Sequence, residues 1–382
     1  MESETAQTEV LIVGGGVAAL EAALALRARA AGRVRLTLLA PNREFSYRPA
    51  RVGEPFGHAA AVTYPMDRIS NDLGLTRYED SLKWVDPQAR TVHTESGLEL
   101  EYDALLLAMG ARPYTSFKYP VTLDPERLDE QMRGVIQDAE GGYIHSIAFV
   151  IPSTNSWPLP IYELALMTAT RAYEMNVELA ITLVTPEDTP LAIFGAPASR
   201  EVADLLDRRG IVTHTASHIA MHEPHRLTVH PANNQVSADQ VITIPELRGP
   251  ATPGIPHSAA GGFVSTDRHG QVAGVERIFA AGDLTDFPIK HGGIAAQQAD
   301  AVADAIAALA GADIVPQPLV PILRGVLWCG DRSLHMQARV TGTHGSASTF
   351  LTEPESKPVE KIDARYLAPY LESLGAAATA VS

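Results

Sequence analysis

The sequence predicts an α/β protein with two strand–turn–helix–strand units of the parallel-sheet kind and a small C-terminal piece. Three observations predict it. An apolar run, Val10 to Val13, passes straight into Gly14, Gly15, Gly16, Val17, Ala18 and Ala19 and then into an alanine- and leucine-rich stretch. A second apolar run, Ile147 to Ile151, precedes a helix-like Leu159 to Met175 and a strand-like Val177 to Val184, with lengths and periods suited to a βαβ unit. Far downstream, Arg277 to Asp283 reads as a short apolar strand ending in Gly282 and Asp283, and a helix-like Ile294 to Leu309 follows.

In the first turn, Gly14 suits a sharp bend, Gly16 lets backbone approach a pyrophosphate, and Ala19 lets the helix lie close to the strand. The phosphate charge then sits on a helix N-terminus. The same Gly-x-Gly-x-x-Ala spacing also occurs in ordinary βα turns, which is why the distant Asp283 strand end matters. Between the two lies Tyr102 to Leu107, running into Ala108, Met109, Gly110, Ala111, Arg112 and Pro113.

In this order and at these separations, the three motifs resemble those of the FAD-dependent pyridine nucleotide-disulfide oxidoreductase superfamily, in its sulfide:quinone oxidoreductase and type II NADH dehydrogenase-like branch. Met109 stands where that superfamily's strand-end motif carries Thr. The resemblance implies a glutathione reductase-like FAD/NAD(P) fold, with two Rossmann-like dinucleotide-binding domains and a small C-terminal domain. By it, residues 1–113 and 248–318 form the FAD-binding domain, 114–247 the NAD(P)-binding-like domain, and 319–382 the C-terminal domain. It implies non-covalent FAD, with Asp283 on the ribityl chain and Gly14, Gly16, Val17, Ala18, Ala19, Ala108, Met109, Gly110 and Gly282 around the coenzyme. The helix after Gly293, with Ile294 and Ala295, would point its N–H groups at the flavin N1 and O2 edge.

The second strand, Val34 to Leu39, ends at Ala40 and Pro41, where many relatives carry an acid for the adenosine ribose. Its absence fits the sulfide:quinone branch, and Asn42 or Glu44 is left to substitute. Arg43 to Phe56, with Pro49 and Pro55, suits an irregular loop. The resemblance brings that loop past the flavin ring, making Tyr47, Arg48 and Pro49 contacts there; a solvated surface loop is the other reading. Ser81 to Val85, Arg90 to Thr94 and Leu98 to Leu107 resemble the superfamily's β-meander, with Trp84 and Val85 beside the adenine or, equally, plain core.

The second unit departs from the pattern. Its turn reads Pro152, Ser153, Thr154, Asn155, Ser156, Trp157, Pro158, Leu159, Pro160 and holds no glycine. Backbone cannot approach a pyrophosphate there in the usual way, and the prolines stiffen the position. Three readings stand: a structural relic, a pocket reshaped for another substrate, or a non-standard NAD(P)H loop. Glu163 lies near the nicotinamide of relatives or else serves the helix dipole. Val241 to Pro250 returns the chain to the first unit, and Phe263 to Val272 suits a hairpin. Ile362 to Leu374, with Tyr366 and Tyr370, suits an amphipathic helix, packed on the flavin side or against a dimer partner. In related quinone reductases this region supplies the quinone pocket and membrane contact.

Lys290 and His291 are the candidate catalytic residues. A cation before the helix would stabilise negative charge on a reduced flavin, and a histidine beside the ring would move the accompanying proton. Solvated loop residues are the plainer alternative for both. The helix sequence Ile294-Ala295-Ala296-Gln297-Gln298 resembles the quinone side of type II NADH dehydrogenases. The histidines from His214 to His230 lack metal-site spacing, so no metal is expected. With one cysteine, Cys329, the chain forms no internal disulfide, and the superfamily's dithiol and sulfur-holding chemistries are disfavoured.

A charge of −15 over 382 residues disfavours nucleic acid and anionic membrane as broad partners. Met1 to Gln7 has no signal-peptide pattern and no run is long enough to span a bilayer, so the expectation is a cytoplasmic protein, with peripheral membrane contact open. The expected function is an FAD-dependent oxidoreductase passing electrons to a quinone-like or other small acceptor without a redox disulfide. The alternatives are an NAD(P)H dehydrogenase with a non-standard loop and a flavin-binding interaction module without turnover.

Overall fold

A computed structural model describes residues 7–379, apart from 59, 260, 342–343 and 355–360. Its first sheet is parallel, in the order Ile278–Ala280, Ala104–Leu107, Thr8–Val13, Val34–Leu39, Thr76–Tyr78. Thr8–Val13 lies at its centre, buried on both faces, which is why Val10 to Val13 reads as an unbroken apolar run. Helix α1 (Val17–Arg29) follows that strand, and α2 (Met66–Leu73) leads into the edge strand.

A second parallel sheet runs Val121–Thr122, Gln240–Thr243, Ser146–Val150, Ala180–Val184, Val212–His214. Helices α3 (Leu128–Glu140), α4 (Leu159–Glu174) and α5 (Ala196–Arg208) accompany it. Both sheets, with their helices, are Rossmann-like. The chain leaves the first sheet through Arg112–Tyr114 and returns through Glu246–Arg248, and these two crossings pair antiparallel. The return delivers Ile278–Ala280 to the edge of the first sheet. Helix α6 (Gly292–Leu309) then packs along α1, small residue against small residue, with Ala18, Ala22 and Ala25 in one core with Ala295, Ala299 and Ala303. An antiparallel sheet of Ile322–Trp328, Arg332–Thr341 and His344–Pro354 follows, and then α7 (Leu367–Thr379).

Several segments differ from expectation for local reasons. Arg43 to Phe56 is ordered: Glu44–Ser46 pairs with Thr63–Pro65, and Arg48–Phe56 winds into a 3₁₀ helix with a proline in its first turn. The run Leu98 to Leu107 breaks at Asp103, whose N–H and carboxylate bind the backbone of Glu9. Glu99–Glu101 therefore joins the meander and Ala104–Leu107 joins the main sheet. Phe263 to Val272 is no regular hairpin but a loop held by single bridges, Val264 to Thr285 and Thr266 to Val272. The last helix begins at Leu367 rather than Ile362, because a buried carboxylate, Glu21, takes the Tyr366 and Leu367 N–H groups and sets its start there. No described helix is long and apolar enough to cross a membrane.

Candidate functional site

One cavity of about 800 Å³ opens on the first turn, on the loop from Pro41 to Pro49, on Ala108–Ala111, and on Gly282, Asp283, Gly292, Ala295 and Ile362. Gly14 makes the turn possible: its φ is +121°, and a Cβ there would overlap the Ala108 carbonyl. Gly16 is different. It caps α1 with no side chain over the helix N–H groups, and nothing lies within 4 Å of where its Cβ would stand. Orphan donors and the positive end of the helix dipole thus meet open space, a seat for a phosphate.

Across the cavity, the half-buried Asp283 carboxylate has no protein hydrogen-bond donor among the described residues. Burial raises its pKa, opposed by Lys290 and Arg48. Its neighbour Gly282, at φ +81°, donates its N–H to Gln298 Oε1 at 2.7 Å, and Gln298 Nε2 reaches Thr285 Oγ1 at 3.2 Å. Gln298 therefore sets the angle at which Asp283 faces the cavity. Gln297 instead ties α6 to the C-terminal sheet through both Ile322 N–H and C=O. An open helix terminus at one wall and an orphan carboxylate at the other fit a ligand with a pyrophosphate and a chain of hydroxyls, which FAD has.

The cavity brings together Gly14, Gly16, Val17, Ala18, Pro41, Arg48, Pro49, Ala108, Met109, Gly110, Gly282, Asp283 and Ala295. It leaves out Ala19, Ala40, Gly293 and Ile294, which are buried behind the wall. Trp84 and Val85 are also off it. Trp84 is 37% exposed and stacks on His93 at 3.8 Å, while Val85 N–H is taken by Pro253 C=O and its carbonyl is covered by Gly254. Lys290 is no cavity residue either: its buried Nζ donates to Thr285 C=O and sits 3.9 Å over the Phe263 ring. Burial lowers its pKa to about 8, with Asp283 and Asp286 opposing.

His291 lies just behind Gly292, capping α6 with Nδ1, which accepts the Gly293 N–H at 3.1 Å. Its ring is 4.9 Å from Trp157. Burial, aided by Lys361, lowers its pKa to about 4. It is therefore neutral near pH 7, with its proton on Nε2, a donor rather than a proton store.

Sequence reasoning missed Ile362, Arg43, Arg51 and Glu126 on the wall. The three charged residues carry no signal beyond exposed-loop composition, and Ile362 arrives from the far end of the chain. It also missed the partner of Glu163. That carboxylate, 1% exposed, pairs with Lys361 and accepts the Trp328 N–H at 2.9 Å, and Lys361 Nζ lies 3.7 Å over the Trp328 ring. Burial raises the Glu163 pKa, and Lys361 and the Trp328 N–H pull it back.

The second turn, by contrast, is packed. Trp157 meets Phe194 edge-on at 6.0 Å, Ser156 Oγ donates to Pro245 C=O, and Phe194 is fully buried against Gly325 of the C-terminal sheet. Glu187, just after the strand Ala180–Val184, accepts from Tyr162 Oη at 2.6 Å and Thr185 Oγ1 at 3.0 Å. Cys329 is buried, and burial pushes its thiol up to about 12, with Glu163 adding to the rise.

Residues 8–139 match the family described as pyridine nucleotide-disulphide oxidoreductase. The chain is 24% identical over 305 residues to the sulfide-quinone reductase of Aquifex aeolicus (strain VF5), covering 73% of this chain and 69% of that one. Among solved structures, the sulfide:quinone oxidoreductase from Aquifex aeolicus aligns with a TM-score of 0.79 at 20% identity, covering 91% of this chain and 87% of that one. NDH2 from Plasmodium falciparum in complex with NADH aligns with a TM-score of 0.67 at 11% identity, covering 86% and 90%. Matching this family over residues 8–139, folding like these enzymes, and bringing Asp283 back across the cavity from Gly16, the chain has the features of an FAD-dependent oxidoreductase of the pyridine nucleotide-disulphide kind.

Proposed function

We propose that this enzyme takes electrons from a small donor and passes them to a quinone-like or other small acceptor, without a redox disulfide. The observation that carries the reading is the single cavity on which Gly16 and Asp283 both open, although they are far apart in the chain. The division of the chain into 1–113 with 248–318 as the coenzyme domain, 114–247 as the second and 319–382 as the last goes with it. When bound, the flavin supplies reversible two-electron chemistry. The α1 N–H groups would hold the pyrophosphate and Asp283 would accept hydroxyl hydrogen bonds. The α6 N-terminus would lend positive potential behind Gly292 to a coenzyme that gains negative charge on reduction, with the Lys361 ammonium beside it shared with Glu163. His291 Nε2 offers a fixed donor, and Glu163 holds Lys361 in place.

The likeness to sulfide-quinone reductase supports a quinone as acceptor. The lone Cys329, buried and with its thiol pushed to about 12, supports a route that bypasses a sulfur relay. The test is anaerobic reduction of the purified holoprotein with sulfide, small thiols, NADH and NADPH in turn, followed by reoxidation with a water-soluble quinone. Flavin bleaching by one donor and recovery with quinone is expected. A colourless protein that refuses FAD ends the reading, and a reduced flavin that quinone does not reoxidise ends the choice of acceptor.

A further inference from the structure

The segment from Lys361 to Leu374 is fixed along its path by three ties. Glu21 on α1, fully buried, accepts the Tyr366 N–H at 2.9 Å and the Leu367 N–H at 2.6 Å. These are among the orphan donors of α7. Tyr47, on the cavity wall, accepts the Ile362 N–H at 2.8 Å. Lys361 pairs with Glu163 on α4. Held so, Ile362 becomes cavity wall, and a Cβ on Gly292 would meet its Cδ1 at 2.6 Å. Leu367, Leu371 and Leu374 sink into the core that α1 and α6 share.

We infer that Glu21 is the latch of a C-terminal clasp over the coenzyme cavity: it holds α7 on α1 and Ile362 against Gly292, and its ionisation loosens the clasp so that FAD exchanges faster. This rests on the flavin reading above. Glu21 is a positioning residue, since it does not line the cavity.

The sign follows from its surroundings. Burial raises the Glu21 pKa to about 7, the Tyr366 and Leu367 N–H groups pull it down, and Asp300 on α6 pushes it up again. On α1, Arg29 pairs with Asp300 and Asp304 and donates to Tyr366 Oη, so its charge is already shared. From the clasp itself Arg365 contributes a backbone N–H. On the α2 side, Asp72 accepts from Tyr370 Oη, and Arg68 acts on that tyrosine. Once the clasp is open, water surrounds Glu21 and its affinity for a proton falls to that of an ordinary carboxyl. The closed state thus binds the proton more tightly, so closure strengthens below pH 7 and weakens as pH rises through it. A protonated carboxyl retains acceptor capacity on both oxygens for the two N–H groups.

The experiment follows FAD release from the full-length holoprotein by the fluorescence of free flavin, at pH 6.0 and 8.5. In the wild type, release should be on the order of tenfold faster at the higher pH, the size of a lost helix cap. Glu21→Ala should release quickly at both values and lose the pH dependence. A flat wild-type profile, or a Glu21→Ala profile like that of the wild type, overturns the latch. Hydrogen exchange on the unmodified chain decides it independently of any variant. After correction for intrinsic rates, the Ile362, Tyr366 and Leu367 amides should lose protection relative to α6 as pH rises from 6.0 to 8.5, and equal protection overturns it. A wild type that takes up no FAD would instead sink the flavin reading, leaving the exchange measurement to judge the latch.

Discussion

Gly14 and Gly16 stand two residues apart and should fail differently when given a side chain. At Gly14 both the positive φ and the Ala108 carbonyl oppose a Cβ, so Gly14→Ala strains the fold itself, at a cost of about 1–3 kcal/mol or more. At Gly16 nothing is in the way, and the methyl intrudes only on what binds there. Gly16→Ala should melt, as apoprotein, with the wild type in a thermal scan, yet bind FAD about tenfold or more weakly by titration; equal affinity would remove the pyrophosphate from this turn. Cys329 is a second residue-scale case. With its thiol pushed to about 12 and buried, it should resist an aromatic disulfide reagent at pH 8 in the native chain and react once per chain in denaturant. Rapid native labelling would reopen thiol chemistry. Residues such as Gly14, Gly16 and Asp283 were legible in the sequence because a backbone shape or a lone carboxylate at a strand end constrains residue type by itself. Ile362 was not, because any apolar residue serves there and its place depends on Tyr47 and Glu21, more than 300 positions away.

Elements are joined at this site by one buried ion pair. Glu163 belongs to α4 and Lys361 to the segment before α7, and both are nearly inaccessible, at 5% and 1% side-chain exposure for Lys361 and Glu163. Neutralising one partner leaves the other charge in a poorly solvating place, so Lys361→Met should cost about 3–5 kcal/mol in urea denaturation. Lys361→Met with Glu163→Gln should restore most of the loss, since the stranded carboxylate is gone. If the double variant is as weak as the single one, the cost lies in lost packing over Trp328 rather than in the charge. The sequence placed Glu163 in the first helical turn, where a carboxylate is favourable on dipole grounds alone, and nothing local announced a lysine partner. The same limit explains the Arg43–Phe56 segment: its prolines spoke for a loop, while the pairing that orders it comes from Thr63–Pro65. Strands and helices whose burial is set by their own run, such as Val34–Leu39 and α4, were readable to within a residue.

At the scale of the whole molecule, the two Rossmann-like sheets have diverged in what they offer. The first presents an open turn, and the second covers the equivalent place with its own chain. The Trp157 turn packs on Phe194, the 3₁₀ turn Ala192–Phe194 lies against Arg332–Thr341 and His344–Pro354, and Gly325 admits the Phe194 ring. Glu187, placed where an acid commonly meets an adenosine ribose, is engaged by Tyr162 and Thr185, and burial raises its pKa. Opening this face for a dinucleotide would expose Phe194 and strip Glu187 of its donors, a cost that the binding energy of the nucleotide would have to exceed. NDH2 from Plasmodium falciparum, solved with NADH, shares the overall fold, so the architecture by itself does not decide whether this face takes a nucleotide. Under anaerobic stopped flow, millimolar NADH or NADPH should therefore leave the oxidised flavin spectrum unchanged over minutes, while dithionite bleaches it at once. Bleaching by either nucleotide would show that the Trp157–Phe194 contact opens, and would make the second sheet a working nucleotide site.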